Sequence, residues 1–350
     1  MLNLFSKIKE NFSGKKDNKK CFCYMPLIHA FISGENNVYT CPECMVKNSL
    51  LINLGNLQEE NFNKIWNGSF AKQFRTNAKN NVPSFCPLLP CANKSNFHMQ
   101  VLSDFMKKGL YNNNCKSPQI VTFGNDIKSI YNCTMAEEEQ SEYDTEIKEK
   151  YFEALKDAKY VVFCSETDPF SSKKTSSLIK EIAEKFPQIK FNFVSNGILF
   201  NKEICDSLGI TDRIENVLIF INAANKETYD KYVHNGNYEE LIKNLTWLKE
   251  LKDTNKLSNL FFAYLIDTNN YKDMTTFINF ANNYNAVVIF EPKITLNKSL
   301  GGKTITVDDE SIISPLNEHY AEFINTLNSK EIDNEKVILT YTLSLYKDAI

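Results

Sequence analysis

Six short runs of Val, Ile and Phe, spread through residues 119–294 and separated by stretches of helical period, confine this chain to an α/β array. The runs are QIVTFG, YVVFCS, KFNFVSN, ENVLIFIN, LFFAYLID and AVVIFEPKI. Runs that are apolar at nearly every residue suit strands buried on both faces of a parallel sheet. Between them, EEEQSEYDTEIKEKYFEALKDA, SSLIKEIAEKF, NYEELIKNLTWLKELK and DMTTFINFANNY carry apolar residues at helical spacing. Strand and helix alternating through about six units build either an open doubly wound sheet or a barrel, and the pattern alone allows both. No GxGxxG follows the first run and no GxxxxGK[ST] occurs, which argues against dinucleotide or nucleoside triphosphate binding.

The first 115 residues follow a different grammar. Six of the ten cysteines of the 350-residue chain fall there as close pairs: Cys21 and Cys23, Cys41 and Cys44, Cys86 and Cys91. Cys115, Cys133, Cys164 and Cys205 are scattered. The opening MLNLFSKIKENFSGKK has no small-residue cleavage site, so residues 1–20 read as a flexible tail rather than an export signal. Without export, clustered cysteines point to metal or redox chemistry rather than disulfides, and a cytoplasmic setting is expected. Short spacings let two thiolates leave one turn, and Pro42, Pro87 and Pro90 stiffen those turns. Zinc and iron–sulfur clusters both accept four thiolates, so the residues alone leave the metal open. A helix is expected over 61–77, a linker over 107–117, and a helical segment over 311–327 after a loop with a Gly pair. A net charge of −3 on 40 basic and 43 acidic residues gives no electrostatic case for nucleic acid or an anionic membrane surface. No apolar run reaches the ~18–20 residues of a membrane span.

The stretch CYMPLIHAFISGENNVYTCPEC, followed by LGNLQEENFNKIWNGSFAKQFRTN and CPLLPC, resembles a SPASM domain, the auxiliary-cluster module found with radical S-adenosylmethionine (radical SAM) enzymes. The resemblance implies that Cys23, Cys41, Cys86 and Cys91 ligate one four-iron–four-sulfur cluster, with Cys21 and Cys44 as alternates. The cysteines for a second auxiliary cluster are missing, and the module precedes the α/β array, the reverse of the commoner order. A module of about seventy residues buries little surface, so its folding is expected to lean on the metal–thiolate bonds, apart from the array.

Residues 119–294 in turn resemble the radical SAM partial barrel: KFNFVSNGILF is similar to the family's "TNG" strand, and VLIFINAANKETYDKYVHNGNYEELIKNL to its next strand and helix pair. The implied fold is α/β: a (β/α)6 partial barrel of radical SAM type preceded by a small cysteine-rich SPASM-like domain. Residues 1–20 form the tail, 21–115 the SPASM-like domain, 116–300 the barrel and 301–350 a C-terminal helical extension.

Departures from the family follow. Its CxxxCxxC after the first strand holds the catalytic cluster, whose open iron chelates S-adenosylmethionine. In that register stand Ser129, Cys133 and Ala136. The glycine-rich cradle of the cofactor becomes Glu166, Thr167, Asp168 and Pro169, the ribose-contacting triplet Phe220, Ile221 and Asn222, and a downstream basic position Val233. Asp168, Asn196 and Asn222 are vestigial S-adenosylmethionine positions, and Asp168 alternatively a loop cap. Cys133 reads as a leftover thiol, or with Cys115 or Cys164 as part of a separate redox or metal site. His98 and His234 read as ordinary surface or loop histidines. The expectation is an iron–sulfur protein with a barrel that has lost its catalytic cluster, serving an active radical enzyme as partner, electron relay or recognition subunit. The rival is an enzyme that modifies a peptide or small metabolite through a noncanonical site, and zinc is the alternative metal.

Overall fold

The computed structural model describes residues 25–40, 53–80, 97–109, 116–124, 143–164, 168–233, 236–293, 296–298, 305–307 and 309–347. Its first part comprises α1 (Met25–Ile28), β1 (His29–Ile32), β2 (Asn37–Tyr39), β3 (Asn53–Asn56), α2 (Phe62–Asn67), α3 (Ser69–Asn80) and α4 (Phe97–Lys107). The repeating part runs β4 (Ile120–Phe123), α5 (Thr145–Leu155), β5 (Tyr160–Phe163), α6 (Lys173–Lys185), β6 (Lys190–Ser195), α7 (Lys202–Ser207) and β7 (Ile214–Phe220). It continues with α8 (Lys226–Tyr232), α9 (Tyr238–Asp253), β8 (Asn259–Ile266), α10 (Met274–Asn283) and β9 (Val287–Pro292). Beyond it lie β10 (Leu296–Lys298), β11 (Ile305–Val307), α11 (Tyr320–Leu327), β12 (Val337–Leu339) and α12 (Tyr341–Lys347).

All six apolar runs are strands, β4 to β9, and each of β5 to β9 pairs in parallel with the strand before it. Sequential order is the order of a barrel; a doubly wound sheet would reverse at a switch point. Among the described residues the sheet reads β12-β9-β8-β7-β6-β5-β4-β1-β2-β3, so its two ends stay open. Side chains alternate between two cores, as the period of two requires. Val121, Val161, Phe191, Phe193, Val217, Ile219, Leu260 and Phe262 pack under the helices. Ile120, Tyr160, Val162, Val194, Leu218, Phe261 and Ile289 form the second core. There α1 and α4 cover the sheet with Met25, Leu27, Ile28, Val101, Leu102 and Phe105. At the starts of the strands, Tyr160 donates to Asp104 at 2.9 Å and Lys108 pairs with Glu215, so α4 closes that end of the second face.

Caps fix the helix starts. Asn61, Asp144, Ser172, Asn201, Asn225 and Asn237 each accept a backbone N–H of the following turn. The single helix expected over 61–77 is two helices. Gly68 between them is extended (φ −62°, ψ 163°), and a Cβ there would stand 2.9 Å from the Lys64 carbonyl oxygen. The helical segment expected over 311–327 is helical only from Tyr320, and the C-terminal region adds more than helix: β12 joins the sheet edge parallel to β9.

Patterning sets a boundary near residue 115, yet sheet and core both run across it. β1 pairs in parallel with β4, from His29 opposite Ile120 to Ile32 opposite Phe123. Ala30, Ile32, Val38, Leu57, Phe62, Ile65 and Trp66 belong to the same core as the array's helices. α5 is bonded to the first part three times: Tyr151 to Asn36 at 2.5 Å, Lys150 to the Leu57 carbonyl at 2.7 Å, and the Asn63 N–H to Glu153 at 3.1 Å. Apolar surface that seventy residues could not bury alone is buried against the array.

Trp66 anchors this junction. It is fully buried, stacks on Phe62 at 5.9 Å, lies 4.7 Å from the Arg75 guanidinium, and its carbonyl accepts from Arg75. Trp66→Ala should cost about 3–5 kcal/mol, as buried aromatic truncations do. Hydrogen exchange should then rise in β4 and β5 together with residues 25–80. Acceleration confined to residues 25–80 would show two independent cores instead.

Candidate functional site

The described residues marked for cofactor contact, Asp168, Asn196 and Asn222, follow the C-terminal ends of β5, β6 and β7. Cys164 leaves the end of β5, its N–H on the Phe123 carbonyl at 3.0 Å, and packs against the second core, as Phe220 does. Next to it Gly124 ends β4 beneath the Phe31 ring; a Cβ on Gly124 would fall 2.3 Å from Phe31 Cζ. The first part of the chain therefore lays an aromatic ring over the point where β4 opens into the following loop. Only glycine allows so close an approach.

Asp168 is buried and fully engaged. Its Oδ2 accepts from the Ser195 hydroxyl and from the Asn196 N–H at 2.9 Å, and its Oδ1 accepts from the Phe170 N–H at 3.0 Å. Burial raises its carboxyl above the ordinary value, against the opposing pull of these three bonds. A raised folded-state value means that its contribution to stability is full at low pH and is lost as pH climbs through that value. Asn196 stands beside it and spends its side-chain oxygen on the Ile198 N–H at 2.9 Å. Asn222, one strand over at the end of β7, has left-handed φ of 56° and accepts the Leu265 N–H of β8 at 2.7 Å. Each of the three thus turns its oxygen on the protein's own backbone. The structure joins Asp168 to Asn196 and ties Asn222 to β8. Val233 ends α8, its N–H on the Tyr229 carbonyl at 2.9 Å, and packs against the helix-side core.

Asp168→Ala would leave two N–H groups and a hydroxyl without their buried acceptor, at about 1–3 kcal/mol for each group orphaned. A loss of about 3 kcal/mol is expected in urea unfolding, since neighbouring water recovers part of it. A change under about 1 kcal/mol would show that the carboxylate does not hold β5 to β6.

Cys21, Cys23, Cys41, Cys44, Cys86 and Cys91 lie outside the described residues, as do Cys115, Ser129, Cys133, Ala136, Glu166, Thr167 and His234. The side chain of His98 is likewise outside them. Cys205 is buried under the helices, and burial pushes its thiol well above the usual range, the state of an inert packing thiol. What the described part supplies is the frame from which the paired cysteines depart: α1 two residues after Cys23, and Thr40 just before Cys41. Between these points sits His29, which motif reading passed over because a lone histidine in LIHAFI looks like a strand residue. It is 1% exposed, and burial lowers its imidazole to about 4, against a small opposing effect of its bond to Thr40.

The SPASM family, an iron–sulfur cluster-binding domain, matches residues 21–92, and the radical SAM superfamily matches residues 126–281. The chain contains a SPASM domain and a radical SAM domain. Their order along the chain is the one read from the motifs, and the parallel α/β sheet is that of the radical SAM domain. Two of the solved structures that it is similar to are the following. One is an archaeal TYW1, 20% identical over 41% of this chain and 46% of that one, with a TM-score of 0.28. The other is TYW1 with a lysine-pyruvate adduct bound, 16% identical over 54% of this chain and 55% of that one, with a TM-score of 0.32. The chain spans about half the length of the solved structures it matches. No curated protein matches it. No described helix is long and apolar enough to cross a membrane.

The donor chemistry suits an iron–sulfur cluster in the SPASM domain, where six soft thiolates in three close pairs exceed the four such a cluster takes. In the register that the family resemblance implies, serine and alanine would stand at two of the three ligand positions of the catalytic cluster, a donor set that would not suit it.

Proposed function

We propose that this protein is an iron–sulfur cluster carrier whose radical SAM domain no longer cleaves S-adenosylmethionine, and that it serves an active radical enzyme as electron relay or recognition subunit. One observation carries the reading: Ser129, Cys133 and Ala136 occupy the three thiolate positions after β4. Alanine has no ligand atom and serine is a poor ligand for iron that favours thiolate. The engagement of Asp168, Asn196 and Asn222 supports it, because each already spends an oxygen on a backbone N–H of the protein.

Cys23, Cys41, Cys86 and Cys91 would hold the SPASM cluster, with Cys21 and Cys44 beside them as alternates. Those four thiolates would leave no iron open, and the cluster they hold would supply one-electron chemistry. The protein's part is then to bury and orient: the shared core fixes the SPASM domain on the barrel, and α4 seals the barrel's second face at the strand starts. Recognition of a partner, or of a peptide or metabolite that the partner modifies, would fall to loops at the strand ends.

Anaerobic purification of the full chain followed by metal and sulfide analysis tests the reading. About four iron and four sulfide per chain, with broad thiolate-to-iron absorption, are expected from one cluster with four cysteine ligands. Stoichiometric zinc without sulfide would contradict it, and about eight iron per chain would restore a second, catalytic cluster.

A further inference from the structure

α4 (Phe97–Lys107) belongs to neither matched domain, since one match ends at residue 92 and the other begins at residue 126. It nonetheless sits on the second face of the sheet, where Val101, Leu102 and Phe105 share a core with Ile120, Tyr160 and Val162. The Phe105 and Tyr160 rings meet edge to face, their centroids 5.5 Å apart. Among the described residues, no backbone–backbone hydrogen bond joins α4 to a strand, so its attachments there are made by side chains.

They include a group of charges beside its last turn. Lys108 lies 3.2 Å from Asp104 and 3.1 Å from the Ser258 hydroxyl, and it pairs with Glu215. Ser258 also donates to Glu215, and Tyr160 donates to Asp104 at 2.9 Å. Glu215 occupies a bulge: Phe191 opposes Ile214 and Asn192 opposes Asn216, which leaves Glu215 as the extra residue between them. One ammonium, with three donors, thereby ties the helix end to β7 and to the residue before β8. Removing it would leave two carboxylates, 15% and 11% exposed, at one site without their shared countercharge.

β4 to β9 are locked in a continuous ladder, and an element held only by side chains opens at lower cost than strands so paired. We propose that α4 is a strap between the two domains, bolted by Lys108, that lifts off the second face as a unit while β4 to β9 stay folded. Access to that face from the strand starts is then set by one group of charges rather than by unfolding of the barrel. The proposal is independent of the iron–sulfur reading, because every group it uses lies in α4 or the barrel.

Native-state hydrogen exchange of the full chain, followed at rising urea, tests it. In the wild type, amides of 101–108 should exchange before those of β5, β6 and β7, with a smaller urea dependence. Two variants separate local from global opening. Lys108→Met should speed exchange at 101–108 about 10-fold or more, the scale of a lost charge-assisted bond. Leu248→Ala truncates a side chain buried in the helix-side core, on the other face of the sheet. It should speed the strands and leave 101–108 unchanged, because the lifted state keeps that core intact. Equal acceleration of α4 and the strands by Leu248→Ala, or none at 101–108 by Lys108→Met, would overturn the proposal. If either variant fails to fold, the wild type decides: α4 exchanging together with the strands at every urea concentration contradicts the strap.

Discussion

Alanine in place of Cys23, Cys41, Cys86 or Cys91 is expected to abolish the iron–sulfur cluster, whereas Cys133→Ala should leave iron and sulfide at wild-type levels. A cubane cluster held by three thiolates exposes one iron to solvent, and without a chelating cofactor nothing in the SPASM donor set protects it. Because Cys21 and Cys44 lie within three residues of two ligands, the substitutions are best made in a Cys21→Ala, Cys44→Ala background. That background alone should keep the cluster. The loss should also be felt in folding, since metal–thiolate bonds contribute directly to the stability of small metal domains. Here the effect should be blunted, because Trp66, Phe62 and Ile65 are anchored in the common core. Iron, sulfide and visible absorption measured on each variant decide the matter. A cluster that survives Cys86→Ala, or vanishes with Cys133→Ala, would relocate it from the SPASM domain to the loop after β4.

The sequence made the strands legible because β4 to β9 are buried on both faces, so each reads as an unbroken apolar run. Strand order was not legible in the periodicity, since one period fits a doubly wound sheet and a barrel alike; it came from the resemblance to the radical SAM partial barrel. β1 escaped notice as part of the same sheet because its pairing is set by contacts 90 residues apart in sequence, such as His29 with Thr122. Gly68 is a plain residue inside a helical pattern, and its break became visible only through the carbonyl that a Cβ would strike.

Asparagine is the signal that composition hid. The four described non-glycine residues with left-handed φ are Asn36, Asn222, Asn255 and Asn285. Asparagine tolerates that conformation better than other side chains. Asn192, Asn216 and Asn259 form an in-register ladder across β6, β7 and β8: the Asn259 amide donates to Asn216 and the Asn216 amide to Asn192, each at 2.6 Å, and the Asn192 amide donates to the Val161 carbonyl at 3.0 Å. With caps at Asn61, Asn201, Asn225 and Asn237, these asparagines serve the backbone at turns, ladders and helix starts. The candidate site was legible as a set of positions, but the engagement of Asp168, Asn196 and Asn222 with backbone N–H groups depends on side-chain direction, which no motif records.

Reductive cleavage of S-adenosylmethionine requires an electron delivered into the sulfonium from a cluster whose open iron chelates the methionine end. In the proposed reading, Ser129 and Ala136 would leave Cys133 as the single thiolate of the three at that position, and a SPASM cluster with four cysteine ligands would have no iron to spare. Asp168 cannot turn to a cofactor without releasing Ser195, Asn196 and Phe170. The full chain, reconstituted anaerobically and incubated with dithionite and S-adenosylmethionine, should therefore form no 5′-deoxyadenosine above a protein-free control. Formation of several equivalents per chain would contradict the loss of the catalytic cluster, and would direct attention to Cys115, Cys133 and Cys164 as a rearranged ligand set.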